Sequence, residues 1–142
     1  WYLDYNVWLY TLKCSIFGEY SYWQGEIFAY ILLICNILLS LLTIFCICYV
    51  LIKEFKNFNN ILMLIIFIIT LISYIIFQIL YPVTCTQDFR YMTLIILPVC
   101  YFVGKFFAYE FKSKLANCLK YISLSLVLCF CLSSILFYIS CR

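Results

Sequence analysis

Four apolar runs, Ile27–Ile52, Ile61–Tyr81, Met92–Tyr109 and Tyr121–Ser140, dominate this chain, with 26, 21, 18 and 20 residues and Lys105 as the one charge among them. A helix that crosses the ~30 Å hydrocarbon layer needs about 20 such residues. Inside lipid each backbone N–H and C=O must find its partner within the protein, which an α-helix does within one segment. The predicted fold class is therefore all-α: a polytopic membrane protein with four transmembrane helices preceded by an interfacial, aromatic-rich amphipathic helix.

Composition excludes the soluble alternatives. The chain is 68% hydrophobic and 11% charged, against roughly 25% charge in a soluble domain. Its net charge of +3 is spread along the sequence without a basic run, so nucleic acid is not an expected partner. Among ten cysteines, Cys35, Cys46, Cys48, Cys100, Cys129 and Cys131 lie in the apolar runs, where cysteine serves as a small hydrophobe. There is no histidine and no C-x-x-C pattern, so neither a metal nor any other cofactor is expected.

Orientation follows from the lysines. Lys53, Lys56, Lys105, Lys112, Lys114 and Lys120 are six of the nine Lys/Arg residues and cluster around two connectors, 53–60 and 110–120. The positive-inside rule assigns those connectors to the cytoplasm. The 1–26 segment, the 82–91 loop and both ends then face outward, and the chain is expected in a bacterial plasma membrane. Cys14, Cys85 and Cys141 fall on that side, where either a disulfide among them or free thiols can occur, the latter favoured.

Within this plan the segments differ. Trp1, Tyr2, Tyr5, Trp8, Tyr10, Tyr20, Tyr22 and Trp23 crowd the first segment, and such rings gather at the headgroup level; an interfacial helix is predicted over Asp4–Ile16, closing near Gly18. The chain starts at Trp1 without a signal-peptide pattern, which leads us to expect a piece of a longer polypeptide. Asn36, Ser40 and Thr43 share one face of the first span, and Thr70, Tyr74 and Gln78 one face of the second. None of these side chains is charged at neutral pH, so both stripes are expected to pack against neighbouring helices. In the third span Pro98 removes a backbone hydrogen bond, which predicts a kink or else a crossing made only by letting Lys105 snorkel to the inner surface. Small residues of the fourth span, Ser123, Ser125, Cys129, Cys131, Ser133 and Ser134, suit close helix approach.

The outer loop Tyr81–Tyr91 carries the chemistry-bearing residues. Pro82 ends the second span, and Thr84, Thr86 or Asp88 is placed to cap the third. Arg90 stands between Phe89 and Tyr91 at the mouth of that span, where its planar fork suits a phosphate; equally, it could pair with Asp88 and reach lipid headgroups. The string Cys85-Thr86-Gln87-Asp88-Phe89-Arg90-Tyr91, followed by Pro98, resembles the "C-T-x-[ND]-F-R-Y-…-P" stretch of bacterial polytopic glycosyltransferases, the protein-mannosyltransferase-like, polyprenol-dependent enzymes of the C-type superfamily. Tyr10–Tyr20, reading YTLKCSIFGEY, is similar to their "L-K-x-S-x-F-G-E-[FY]" segment.

That resemblance implies transfer of a sugar from a polyprenyl-phosphate donor to an envelope acceptor on the outer side. It also implies a catalytic base in a first outer loop upstream of this chain, so no catalytic residue is assigned here. Arg90 with Lys13 would bind the donor phosphate, and Asp88 or Glu19 would position the sugar or hold the cations. Expected partners are the bilayer, the polyprenyl-linked sugar, and the upstream part of the same polypeptide or other membrane subunits. The competing reading is a non-catalytic structural subunit of a larger membrane complex; a transporter fits less well, because no ionisable residue lies at mid-membrane.

Overall fold

A computed structural model describes residues 12, 15, 16, 26–81, 89–110 and 114–140, the side chains of residues 26, 89, 90 and 114–116 excepted. Four α-helices make up most of it: α1 (Glu26–Glu54), α2 (Phe58–Leu80), α3 (Ile96–Ala108) and α4 (Lys114–Ser140), with a 3-10 segment, Phe89–Ile95, leading into α3. Among the described residues there is no strand. All four rods are long and apolar enough to cross a membrane, the third as Tyr91–Ala108. The chain is an integral membrane protein of all-α polytopic architecture.

Their packing order departs from chain order. Helix α3 lies between α1 and α2, and α4 covers another side of α1, so α2 touches α1 only slightly. The α1–α3 contact is built on Cys46, Ile47 and Val50 against Phe102 and Phe106. Leu32 of α1 meets Phe137 of α4, and Tyr74 of α2 meets Met92 and Ile95. The early part of α1 thus lies beside the late part of α4, as antiparallel neighbours.

The solvent logic is inverted relative to a water-soluble bundle. The buried residues of α2 are Asn60, Thr70, Tyr74 and Gln78, whereas Ile65, Ile68, Ile69, Ile72, Ile76 and Ile79 are exposed. Lipid is as apolar as isoleucine, so these side chains lose nothing by facing it, while polar groups turn to protein partners. This is the expected inward stripe of the second span. In α1, Asn36 also reaches a neighbour, but Ser40 and Thr43 bond back to the carbonyls of Asn36 and Leu39 in their own helix.

Helix limits differ from the apolar runs for local reasons. Helix α1 continues through Lys53 to Glu54, and α2 begins at Phe58 because the Asn57 side chain accepts from the Asn59 N–H at 3.1 Å and caps it. The 53–60 connector therefore contracts to a tight turn. Helix α4 starts at Lys114, well before Tyr121, since a helix extends past the hydrocarbon wherever its backbone can bond itself.

The third span is corrected most. Pro98 is buried in the first turn of α3, two residues beyond Ile96, where its missing N–H falls at the junction with the 3-10 segment and interrupts no bond within α3 itself. The break lies upstream, at Met92, whose φ of −124° and ψ of 18° are non-helical. The 13 residues of α3 alone span about 20 Å, so the segment Phe89–Ile95, bent at Met92 and rising ~2.0 Å per residue where it is 3-10, supplies the rest of the crossing.

Candidate functional site

Lys105, the lone cation of the apolar runs, is not simply extended toward headgroups. Its Nζ donates to Glu54 Oε2 at 2.6 Å and to Asn60 Oδ1 at 2.9 Å, an ion pair partly screened from the surroundings. Three helices meet at this point. Glu54 closes α1, Asn60 stands in the first turn of α2, and Lys105 lies in the last turn of α3.

Asn60 is the hub of the group and is fully buried, at 0% exposure. Its Oδ1 also accepts from the Tyr101 hydroxyl at 2.8 Å, and its Nδ2 donates to the Glu54 main-chain carbonyl at 2.7 Å. That carbonyl is one of the last in α1, which has no partner inside its own helix. The sequence spacing sets up the hub: a three-residue turn after Glu54 brings residue 60 back beside the end of α1, and Tyr101 and Lys105 stand four apart on one face of α3.

Glu54 is engaged through both oxygens. Oε1 accepts from the Tyr109 hydroxyl at 2.5 Å, and Oε2 accepts from Lys105 and, at 3.4 Å, from Asn57 Nδ2. Lys53 sits over the Tyr109 ring, 3.8 Å from its centroid, as a cation–π contact. Lys120 of α4 donates to the carbonyls of Phe107 and Tyr109 and so closes the end of α3. Below this polar layer, Phe106 meets Tyr49 and Phe45 edge-on, with centroids 5.5 and 5.8 Å apart.

Chemically this is a closed polar staple rather than a reaction centre. The carboxylate accepts from the partners that hold it, and its cation is shared with an amide. Such an array binds three helix ends in one register. In the sequence, the signal for this pair is a lone lysine near the end of one span and a lone glutamate at the end of another, charges that lipid drives toward a partner without telling which.

Lys13, Glu19 and Asp88 lie outside the described residues, as do Cys14, Cys85 and Cys141 and most of the expected interfacial helix. Arg90 is described by its backbone, which belongs to the 3-10 segment leading into α3, at the end of the rod remote from Lys105. From the first segment, Leu12, Ser15 and Ile16 are helical, and Asn36 Nδ2 donates to the Leu12 carbonyl at 3.0 Å and to Ser15 Oγ at 2.9 Å.

The depth of that contact follows from helix length. Helix α1 has 29 residues and is about 43 Å long, against ~30 Å of hydrocarbon. With Glu54 at one boundary, the other falls about 20 residues back, close to Asn36. Leu12 and Ser15 therefore meet α1 near the membrane surface, the level at which aromatic-rich segments lie.

Among the described residues, no three His, Cys, Asp or Glu side chains converge as metal ligands would. No protein-family model, no curated protein and no solved structure matches this chain.

Proposed function

We propose that this chain is the carboxy-terminal membrane part of an integral glycosyltransferase that moves a sugar from a polyprenyl-phosphate donor to an envelope acceptor, the catalytic base belonging to a part upstream. Arg90, with Lys13, binds the donor phosphate on the outer face, and Asp88 and Glu19 orient the sugar or the cations. Departure of a polyprenyl phosphate builds negative charge, which a guanidinium stabilises more in the transition state than in the ground state.

The observation that carries this reading is the Cys85–Tyr91 string, with Arg90 in the first turn of the 3-10 rod that feeds α3. The backbone of Arg90 lies at the end of the third span opposite Lys105, the end that the lysine distribution assigns to the outer face. The Glu54–Asn60–Lys105 staple at the opposite end then serves as the anchor against which such a rim is held.

The test is transfer activity of the full-length protein with Arg90→Ala and Arg90→Lys. Arg90→Ala should lower turnover about a hundredfold, the usual effect of removing a preorganised charge-stabilising donor, while membrane insertion stays intact. Arg90→Lys should recover part of it, since a point charge replaces the fork. Wild-type turnover in Arg90→Ala would remove this residue from the site.

One observation favours the second reading, a structural subunit without chemistry: Glu54, Asn60, Tyr101, Lys105 and Tyr109 bond to one another across helix ends, which packing alone explains. Deletion of the chain that leaves transfer intact but dissolves a larger complex would support it.

A further inference from the structure

Cys35 on α1 and Cys129 on α4 were indistinguishable in the sequence from the other cysteines of the apolar runs. In the fold their sulfurs stand 4.0 Å apart, at an interface that also carries the buried Leu32–Phe137 contact. Their surroundings differ: Cys35 is buried, at 5% exposure, and Cys129 is exposed at the bundle perimeter.

We propose that Cys35 and Cys129 form a thiol pair that a disulfide oxidant closes into a covalent link between α1 and α4, Cys129 reacting first and Cys35 resolving. The perimeter position of Cys129 lets its thiolate attack an incoming disulfide; one half of the reagent leaves as a thiol, and the other half stays on Cys129 as a mixed disulfide. Cys35 then loses its proton and attacks the Cys129 sulfur, expelling the second half. Two protein thiols become one disulfide, and the oxidant is reduced to two thiols.

Geometry favours the step. A disulfide needs its sulfurs ~2.05 Å apart, so the pair must close by about 2 Å, within reach of side-chain rotation between adjoining helices. Cys129 lies well inside the Tyr121–Ser140 run, so the disulfide that reaches it is an apolar one able to enter the hydrocarbon layer or the micelle.

The consequence is a redox-dependent staple. Closed, it ties α4 to α1; open, α4 is held to α1 by Leu32–Phe137 packing and the contacts around it. Purified protein in micelles, treated with 2,2′-dipyridyl disulfide and digested without reductant, should yield a peptide joining Cys35 to Cys129. A variant keeping only these two cysteines should lose the mass of two hydrogen atoms while retaining no pyridyl adduct. In Cys35→Ser the adduct should persist on Cys129, because the resolving thiol is gone. A lasting adduct on Cys129 with Cys35 present, or linkage of Cys129 to another cysteine in the wild-type digest, would overturn the assignment. Should the two-cysteine variant fail to fold, the wild-type peptide map decides alone.

Discussion

Replacing Asn60 with leucine tests whether three helix ends are held by one amide. The new side chain has nearly the same volume, so packing is preserved, but the bonds to Tyr101, Lys105 and the Glu54 carbonyl all disappear. Side-chain hydrogen bonds between membrane helices average about 0.6 kcal/mol, so the three together come to about 2 kcal/mol. A polar group left wholly unsatisfied costs about 1–3 kcal/mol, which sets the upper side of the range if water does not reach the Tyr101 hydroxyl. A change of 2 kcal/mol is about 30-fold in the unfolding equilibrium.

The assay is reversible unfolding in mixed micelles of increasing denaturing-detergent fraction, with Asn60→Leu, Tyr101→Phe and the double variant compared. Tyr101→Phe alone removes one bond and should cost about 0.6 kcal/mol. Because that bond no longer exists in Asn60→Leu, the double variant should be no less stable than Asn60→Leu itself. Strict additivity of the two changes, or an Asn60→Leu protein as stable as the parent, refutes the idea of a shared hub.

Two further substitutions follow from the α3 geometry. Phe106→Ala should destabilise clearly more than Phe107→Ala, since Phe106 is 1% exposed between Tyr49 and Phe45 and Phe107 is 36% exposed; the loss should stay below the ~3–5 kcal/mol of a water-soluble core, because a phenyl ring returned to lipid is not returned to water, and the same detergent titration measures both. Pro98→Ala should restore an N–H able to bond the Leu94 carbonyl and so extend α-helical geometry back into the 3-10 segment; carbonyl and Cα chemical shifts of residues 92–97 report it, and unchanged shifts would mean that the tight winding is set by the Met92 break rather than by the proline.

How much of this was legible depends on what the bilayer enforces. Span number, the all-α class and the inward stripe Thr70–Tyr74–Gln78 could be read directly, because lipid penalises a polar side chain on its own face and a helix repeats that face every three to four residues. The kink was misplaced at Pro98, because a proline in a long apolar run looks like an interruption until the helix start is known; with α3 beginning at Ile96, the same residue is a first-turn proline. The Glu54–Lys105 pair was hidden by sequence distance, and so was the Cys35–Cys129 contact, since no local pattern tells which helix stands beside which. The order in which α3 separates α1 from α2 is a tertiary fact that span counting does not reach.

That order has its own physical reason. Helices α1 and α2 are joined by a turn too short to separate them near Glu54, yet α3 brings its own last turn to that same end, with Tyr101 and Lys105 aimed at the amide of Asn60. Hydrophobic attraction does not choose among helix orders in lipid, because each exposes similar apolar surface. What differs between orders is whether a half-buried lysine finds a carboxylate and a buried asparagine finds donors. Placing α3 between the two hairpin arms satisfies both at once, and it turns the isoleucines of α2 outward to lipid. Four polar side chains at one end, Glu54, Asn60, Tyr101 and Lys105, thus select the arrangement of three rods whose remaining surface is nearly indifferent to it.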